Sequence, residues 1–127
     1  MITDYTPKQE LDNDIIPILN KLNNCEYYTA WSCSGTIKDH LDLNGKPKRG
    51  FIKFLGDEIE NKMIEKIHNC SVHFKFEKTI THNSIDGFLF EVYETDEDML
   101  KTDEERIKKW MDFAKTLCNK KLYNKII

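Results

Sequence analysis

The chain has 127 residues, 39% of them hydrophobic and 32% charged, with a formal net charge of -3. Those totals fit one globular domain, 1–127, able to bury a core without staples, and they lack the basic balance with which a protein usually grips a nucleic-acid backbone. The four cysteines, Cys25, Cys33, Cys70 and Cys118, form no C-x-x-C pair, no signal peptide opens the polar first ten residues, and no apolar run nears the ~18 residues that span a bilayer; reduced thiols, a cytoplasmic setting and no membrane partner are the expectation.

Residues 12–22 read as a helix, with Leu11, Ile15, Ile18, Leu19 and Leu22 on one face at spacings near three and four. Pro17 inside it implies a bend or a late start, and Asn23 and Asn24 are stop residues. Residues 26–32, rich in Tyr, Thr and Trp, read as a strand. Residues 36–50 carry Asn44-Gly45, Pro47 and Gly50 among charges and read as a loop. A short strand is expected over 51–55. A helix over 57–69 follows, with Asp57 as its N-cap and Ile59, Met63, Ile64 and Ile67 inward.

Two Phe-rich strands come next, 71–78 with Val72, Phe74 and Phe76 alternating and 87–93 with Phe88, Phe90 and Val92 alternating. They are near enough to pair as a hairpin across a turn at 82–84, and His73 is expected to point outward. Residues 91–105 hold eight acids, read mainly as a solvated linker and a helix start. Thr102-Asp103-Glu104-Glu105 has capping-box form. The last helix carries Ile107, Trp110, Met111, Ala114, Leu117 and Cys118 as its apolar stripe, and Lys120 and Lys121 suit its end. The order gives an α+β fold, about four strands in a mostly antiparallel sheet with three helices packed mainly on one face.

The candidate site is the end of the first strand. Ser32-Cys33-Ser34-Gly35 can turn backbone N–H groups toward one point, because Gly35 permits a positive φ and close approach. Ser32, Ser34 and Thr36 add hydroxyls. Lys48 and Arg49 on the following loop can close over a phosphate or carboxylate, and Trp31, Tyr27 or Tyr28 can supply a stacking face. The bland alternative is a tight turn in which serines cap backbone groups. Cys33 with His40 is a less favoured nucleophile pair, a structural thiol being preferred. Cys25, Cys33, Asp39 and His40 contain metal-ligating atoms, but their spacing matches no zinc pattern, and no metal is expected.

The stretch "YYTAWSCSGTI" after the helix "DNDIIPILNKLN" resembles the N-terminal part of the wybutosine-synthesis tRNA methyltransferase family, whose Thr-x-Ser-Cys-Ser-Gly-Arg motif follows a helix. Thr36 stands where that family carries Arg. The chain also looks like short uncharacterised bacterial and phage proteins in which a Ser-Cys-Ser-Gly-type turn precedes a strand like Gly50-Phe51-Ile52-Lys53-Phe54. The resemblance covers residues 11–55. Three functions follow as expectations. The leading one is binding of a nucleotide-like or other anionic small molecule without chemistry or cofactor. It uses Trp31, Ser32, Cys33, Ser34, Gly35, Thr36, Lys48 and Arg49, as in a phage-type protein sequestering a nucleotide signal in the host cytoplasm. The methyltransferase resemblance implies instead S-adenosylmethionine and a tRNA substrate. The third is an interaction module docking a basic partner on the acidic 91–105 stretch. Exposed strand edges are compatible with a homo-oligomer.

Overall fold

The computed structural model describes residues 12–40, 46–83 and 87–119. Asn13–Ile15 form a single 3-10 turn that leads into α1, Ile16–Asn24. Pro17 sits in the first turn of α1, where a missing N–H costs nothing, and this explains the late start. Strand β1 is Thr29–Cys33 and β2 is Phe51–Leu55. A 3-10 turn over Gly56–Glu58 precedes α2, Asn61–His73. Strands β3, Glu77–Asn83, and β4, Gly87–Tyr93, come next. A four-residue helix α3, Asp96–Met99, then leads to α4, Asp103–Cys118. Among the described residues no helix is long and apolar enough to cross a membrane.

The sheet runs β1-β2-β4-β3 with every pair antiparallel. Its register sets Ile52 opposite Val92 and Phe54 opposite Phe90, and period-2 alternation places all four on one face. Onto that face pack Ile18, Leu19 and Leu22 of α1, Ile67 and Cys70 of α2, and Trp110, Phe113, Ala114 and Leu117 of α4, all buried in one cluster. Phe76 stacks on Trp110 with ring centroids 4.1 Å apart. Burying each large side chain contributes about 1.5–3 kcal/mol, so this layer holds the helices on the sheet and presents the end of β1 at the edge.

Several boundaries differ from the sequence reading. The first strand was expected over 26–32 and runs Thr29–Cys33, because Glu26 (φ 68°) closes the end of α1. The amide of Tyr27 donates there to Leu22 O (2.9 Å). The second helix was expected over 57–69 with Asp57 as cap; Asp57 lies in the 3-10 turn, and α2 starts at Asn61 with no side-chain cap. Its end reaches into the expected strand 71–78. Ser71 is helical and its hydroxyl donates to Ile67 O (2.6 Å), Val72 is 56% exposed, and β3 begins only at Glu77. His73 is exposed, at the end of that helix rather than on a strand. Strands β3 and β4 pair as the expected hairpin, but β3 runs on through His82 and Asn83, which were expected in the turn. Position 84 of the expected turn and Lys120 and Lys121 lie outside the described residues.

The acidic stretch is not uniformly solvated. Glu94 and Asp98 are buried, at 1% and 5% exposure. Asp98 is gripped by Lys101 (3.0 Å) and by Lys109. Thr102 and Glu105 complete the expected capping box at the start of α4.

Candidate metal centre

The turn after β1 does collect anionic groups, and they belong to the chain itself. Gly35 adopts φ 72°, as the turn requires. The Ser34 amide donates to Asp12 Oδ2 (2.9 Å) and the Thr36 amide to the Ser34 hydroxyl (3.3 Å). The Ile37 and Lys38 amides donate to the two carboxylate oxygens of Asp103 (2.9 and 3.0 Å). The Ser34 hydroxyl lies 2.9 Å from Asp39 Oδ2, and the Thr36 hydroxyl lies 2.9 Å from Asp14 Oδ2. Asp39 also accepts from the Asp14 amide (3.0 Å), which ties the loop to the start of α1. Four carboxylates thus surround the turn and take up most of the donors named here. Consecutive amides of this kind attract negative charge, and here side chains supply it.

Behind the turn stands a buried ion pair. Arg106 of α4 is 0% and Glu94 2% exposed at the side chain. The guanidinium donates to both Glu94 carboxylate oxygens, to Gly35 O (2.7 Å) and to Lys48 O (2.6 Å). Glu94 in turn accepts from the Gly50 amide (2.7 Å). One planar fork therefore joins the turn, the loop before β2 and the end of β4.

At the centre lie Cys33, His40 and Asp12. Cys33 is 4% exposed and ends β1, and His40 is 9% exposed and closes the turn that follows. Nδ1 of His40 is 2.7 Å from Thr36 O. A carbonyl only accepts, so Nδ1 carries a proton, and whenever the ring is neutral Nε2 is left with its lone pair. Nε2 faces Cys33 Sγ at 3.5 Å and Asp12 Oδ2 at 3.3 Å. The three ligand atoms all lie within 4.8 Å of one another. Burial pushes the Cys33 thiol up to about 11, with Asp12 adding to the rise and the Gly35 amide opposing it. Alone, this is a protonated thiol and a poor nucleophile.

The two edges that meet at His40 Nε2 match tetrahedral coordination. Bonds of about 2.3 Å to sulfur and 2.0–2.1 Å to nitrogen and oxygen, at the tetrahedral angle, give an S···N edge of about 3.5 Å and an N···O edge of about 3.3 Å. Both edges equal the distances found here. The His40 Nδ1 to carbonyl bond is the outer contact that orients metal-binding histidines.

Of the residues singled out in the sequence, Cys33, Ser34, Gly35 and Thr36 meet at this turn, with Lys48 joining through its backbone. Ser32 is buried on the strand. The Arg49 guanidinium goes instead to Glu94 O and Asp96 and sits 5.7 Å from the Tyr93 ring centroid. Trp31 is 40% exposed on β1, opposite Lys53. Among the metal-ligating atoms considered, Cys33 and His40 come together, while Cys25 lines a separate cavity at the far end of α1. Asp12, Asp14, Asp103, Glu94 and Arg106 were missed. The only trace of the first two is the Asp-Asn-Asp run ahead of the helix.

A second cleft, of about 450 Å³, lies between the end of α2 and α4, with Lys75, Asp98, Lys101, Lys108 and Lys109 in its wall. Much of its charge is paired within the wall, since Asp98 takes Lys101 and Lys109, and Asp112 takes Lys108 (2.7 Å). Compared with known proteins, the chain matches no family model, no curated protein and no solved structure.

Proposed function

We propose that this is a metal-binding protein in which Asp12, Cys33 and His40 hold a transition-metal ion, with zinc the best fit. The observation that carries the reading is the convergence of a thiol, an imidazole nitrogen and a carboxylate oxygen within 4.8 Å of one another, with the two edges at the imidazole nitrogen near tetrahedral length. A sulfur–nitrogen–oxygen set of this kind favours zinc over magnesium or calcium, which take oxygen ligands. The surrounding carboxylates of Asp14 and Asp39 lower the potential further and favour a cation. Three protein ligands leave a tetrahedral ion one position for another group. The anionic or nucleotide-like small molecule expected at this turn would on this reading bind to the metal, because the Ser34, Ile37 and Lys38 amides are already taken by carboxylates and the Thr36 amide by the Ser34 hydroxyl.

Cobalt(II) titration of the reduced, metal-stripped protein tests the proposal. The expected result is uptake of one equivalent with thiolate-to-cobalt charge-transfer absorption, reversed by zinc. Cys33→Ser should abolish that absorption, and His40→Gln should weaken uptake while leaving the circular dichroism of the fold unchanged. Phosphate or a nucleoside monophosphate added to the cobalt form should shift the visible bands if the remaining position takes an anion. A folded wild-type chain that takes up neither cobalt nor zinc stoichiometrically would overturn the reading and leave a proton shared among the three groups.

A further inference from the structure

We infer that Cys25 and Cys118 form a reversible disulfide that ties the end of α1 to the end of α4. Cys25 directly follows the last residue of α1, and Cys118 is the last residue of α4. Both are half-buried and line one cavity of about 270 Å³, together with Lys62, Met63 and Lys66. The Cys118 thiol donates to Lys21 O (3.5 Å) in the final turns of α1 and neighbours the Cys25 sulfur. The other two thiols are placed differently. Cys70 is fully buried, with its thiol directed at Phe113 O (3.8 Å), and Cys33 belongs to the centre with His40. An oxidant entering from solvent therefore meets the pair at the helix ends.

The oxidant is a low-molecular-weight disulfide such as oxidised glutathione. Burial and the adjacent Cys25 sulfur raise the Cys118 thiol above its ordinary value; one thiol of the pair, taken as Cys25, loses its proton and attacks first. Its thiolate displaces one thiolate of the small disulfide, giving a mixed disulfide. Cys118 then loses its proton and attacks the Cys25 sulfur, expelling the second small thiolate. The two protons lost by the protein end on the two small thiols. The protein pair is oxidised by two electrons and the small disulfide is reduced by two. Because the bond closes most of the chain into a loop, the oxidised form melts at a higher temperature than the reduced one.

The test is exposure of the metal-stripped, folded protein to a glutathione redox buffer, followed by thiol titration and non-reducing digestion with mass spectrometry. The expected outcome is a fall from four titratable thiols to two, a linked Cys25–Cys118 peptide pair, and an upward Tm shift that dithiothreitol reverses. Cys25→Ser should remove the link and the shift. Cys118→Ser should stop the reaction at a mixed disulfide on Cys25. Retention of all four thiols by the oxidised protein would overturn the inference. So would linkage of either residue to Cys33 or Cys70, or linkage only between chains. None of these readouts depends on metal uptake at Cys33 and His40.

Discussion

Arg106→Met removes the fork that joins α4 to the turn after β1. The variant leaves the Glu94 carboxylate, 2% exposed, without its counter-charge, and removes the donor from Gly35 O and Lys48 O. Breaking one side of a buried charge pair costs about 3–5 kcal/mol, because the remaining charge stays out of water. Gly35 O keeps a second donor, the Lys48 amide at 3.3 Å, so little is added on that side. At about 2.1 cal/mol/K per residue, the 127 residues unfold with an entropy of about 0.27 kcal/mol/K. The Tm should therefore fall by roughly 10–20 °C. Urea unfolding followed by circular dichroism measures the loss directly. Adding Glu94→Gln neutralises the stranded charge yet keeps an acceptor for the Gly50 amide. The double variant should recover about 2 kcal/mol relative to Arg106→Met alone. A single-variant loss below about 1 kcal/mol, or a double variant no more stable than the single, would show that the pair is not the fastener described here.

Two further outcomes are expected. Lys75 ends α2 at φ 60° and is exposed. A left-handed residue with a Cβ costs about 1–2 kcal/mol, so Lys75→Gly should raise the urea midpoint by about 0.5–1 kcal/mol equivalent after the entropy of glycine is set against it; a lower midpoint contradicts the strain. For Asp98, burial alone would raise the carboxyl, but hydrogen bonds from Lys109 and Lys101 outweigh it and hold it below its usual range. Its folded value is depressed, so its contribution is complete above the unfolded value of about 3.9 and is lost as pH falls through the folded one. Asp98→Asn should flatten the acid limb of stability below about pH 4, and an unchanged limb in urea titrations across that range speaks against the assignment.

Legibility in the sequence followed how local each determinant is. Strands β2 and β4 lie at 51–55 and 87–93 as expected, because alternation and flanking glycines mark both. The capping box of α4 could be read from four adjacent residues. The junction of α2 and β3 could not. Val72, Phe74 and Phe76 alternate as in a strand, yet Ser71 bonds back to Ile67 O and continues the helix until Lys75 turns the chain. No capping side chain marks the start of α2, so Asp57 misled. At the site, the turn itself was legible from Ser34 and Gly35. Its partners were not, since Asp12 precedes Ser34 by 22 positions and Arg106 follows Gly35 by 71. Asp12 has the form of a helix cap, but it makes no such bond and reaches across to the turn instead. That displacement changes the chemistry inferred, from a pocket of donors for an anion to a cluster of acceptors for a cation.

The grip of Arg106 and Asp103 on the turn sets an order of events during synthesis. Cys33 and His40 leave the ribosome long before α4 does, and until α4 arrives Gly35 O has the Lys48 amide but not Arg106, and the amides of Ile37 and Lys38 lack the Asp103 carboxylate. If the proposed site is right, a nascent chain carries these ligands on a segment that α4 has yet to fasten, and full capture of an ion waits for the last helix to dock.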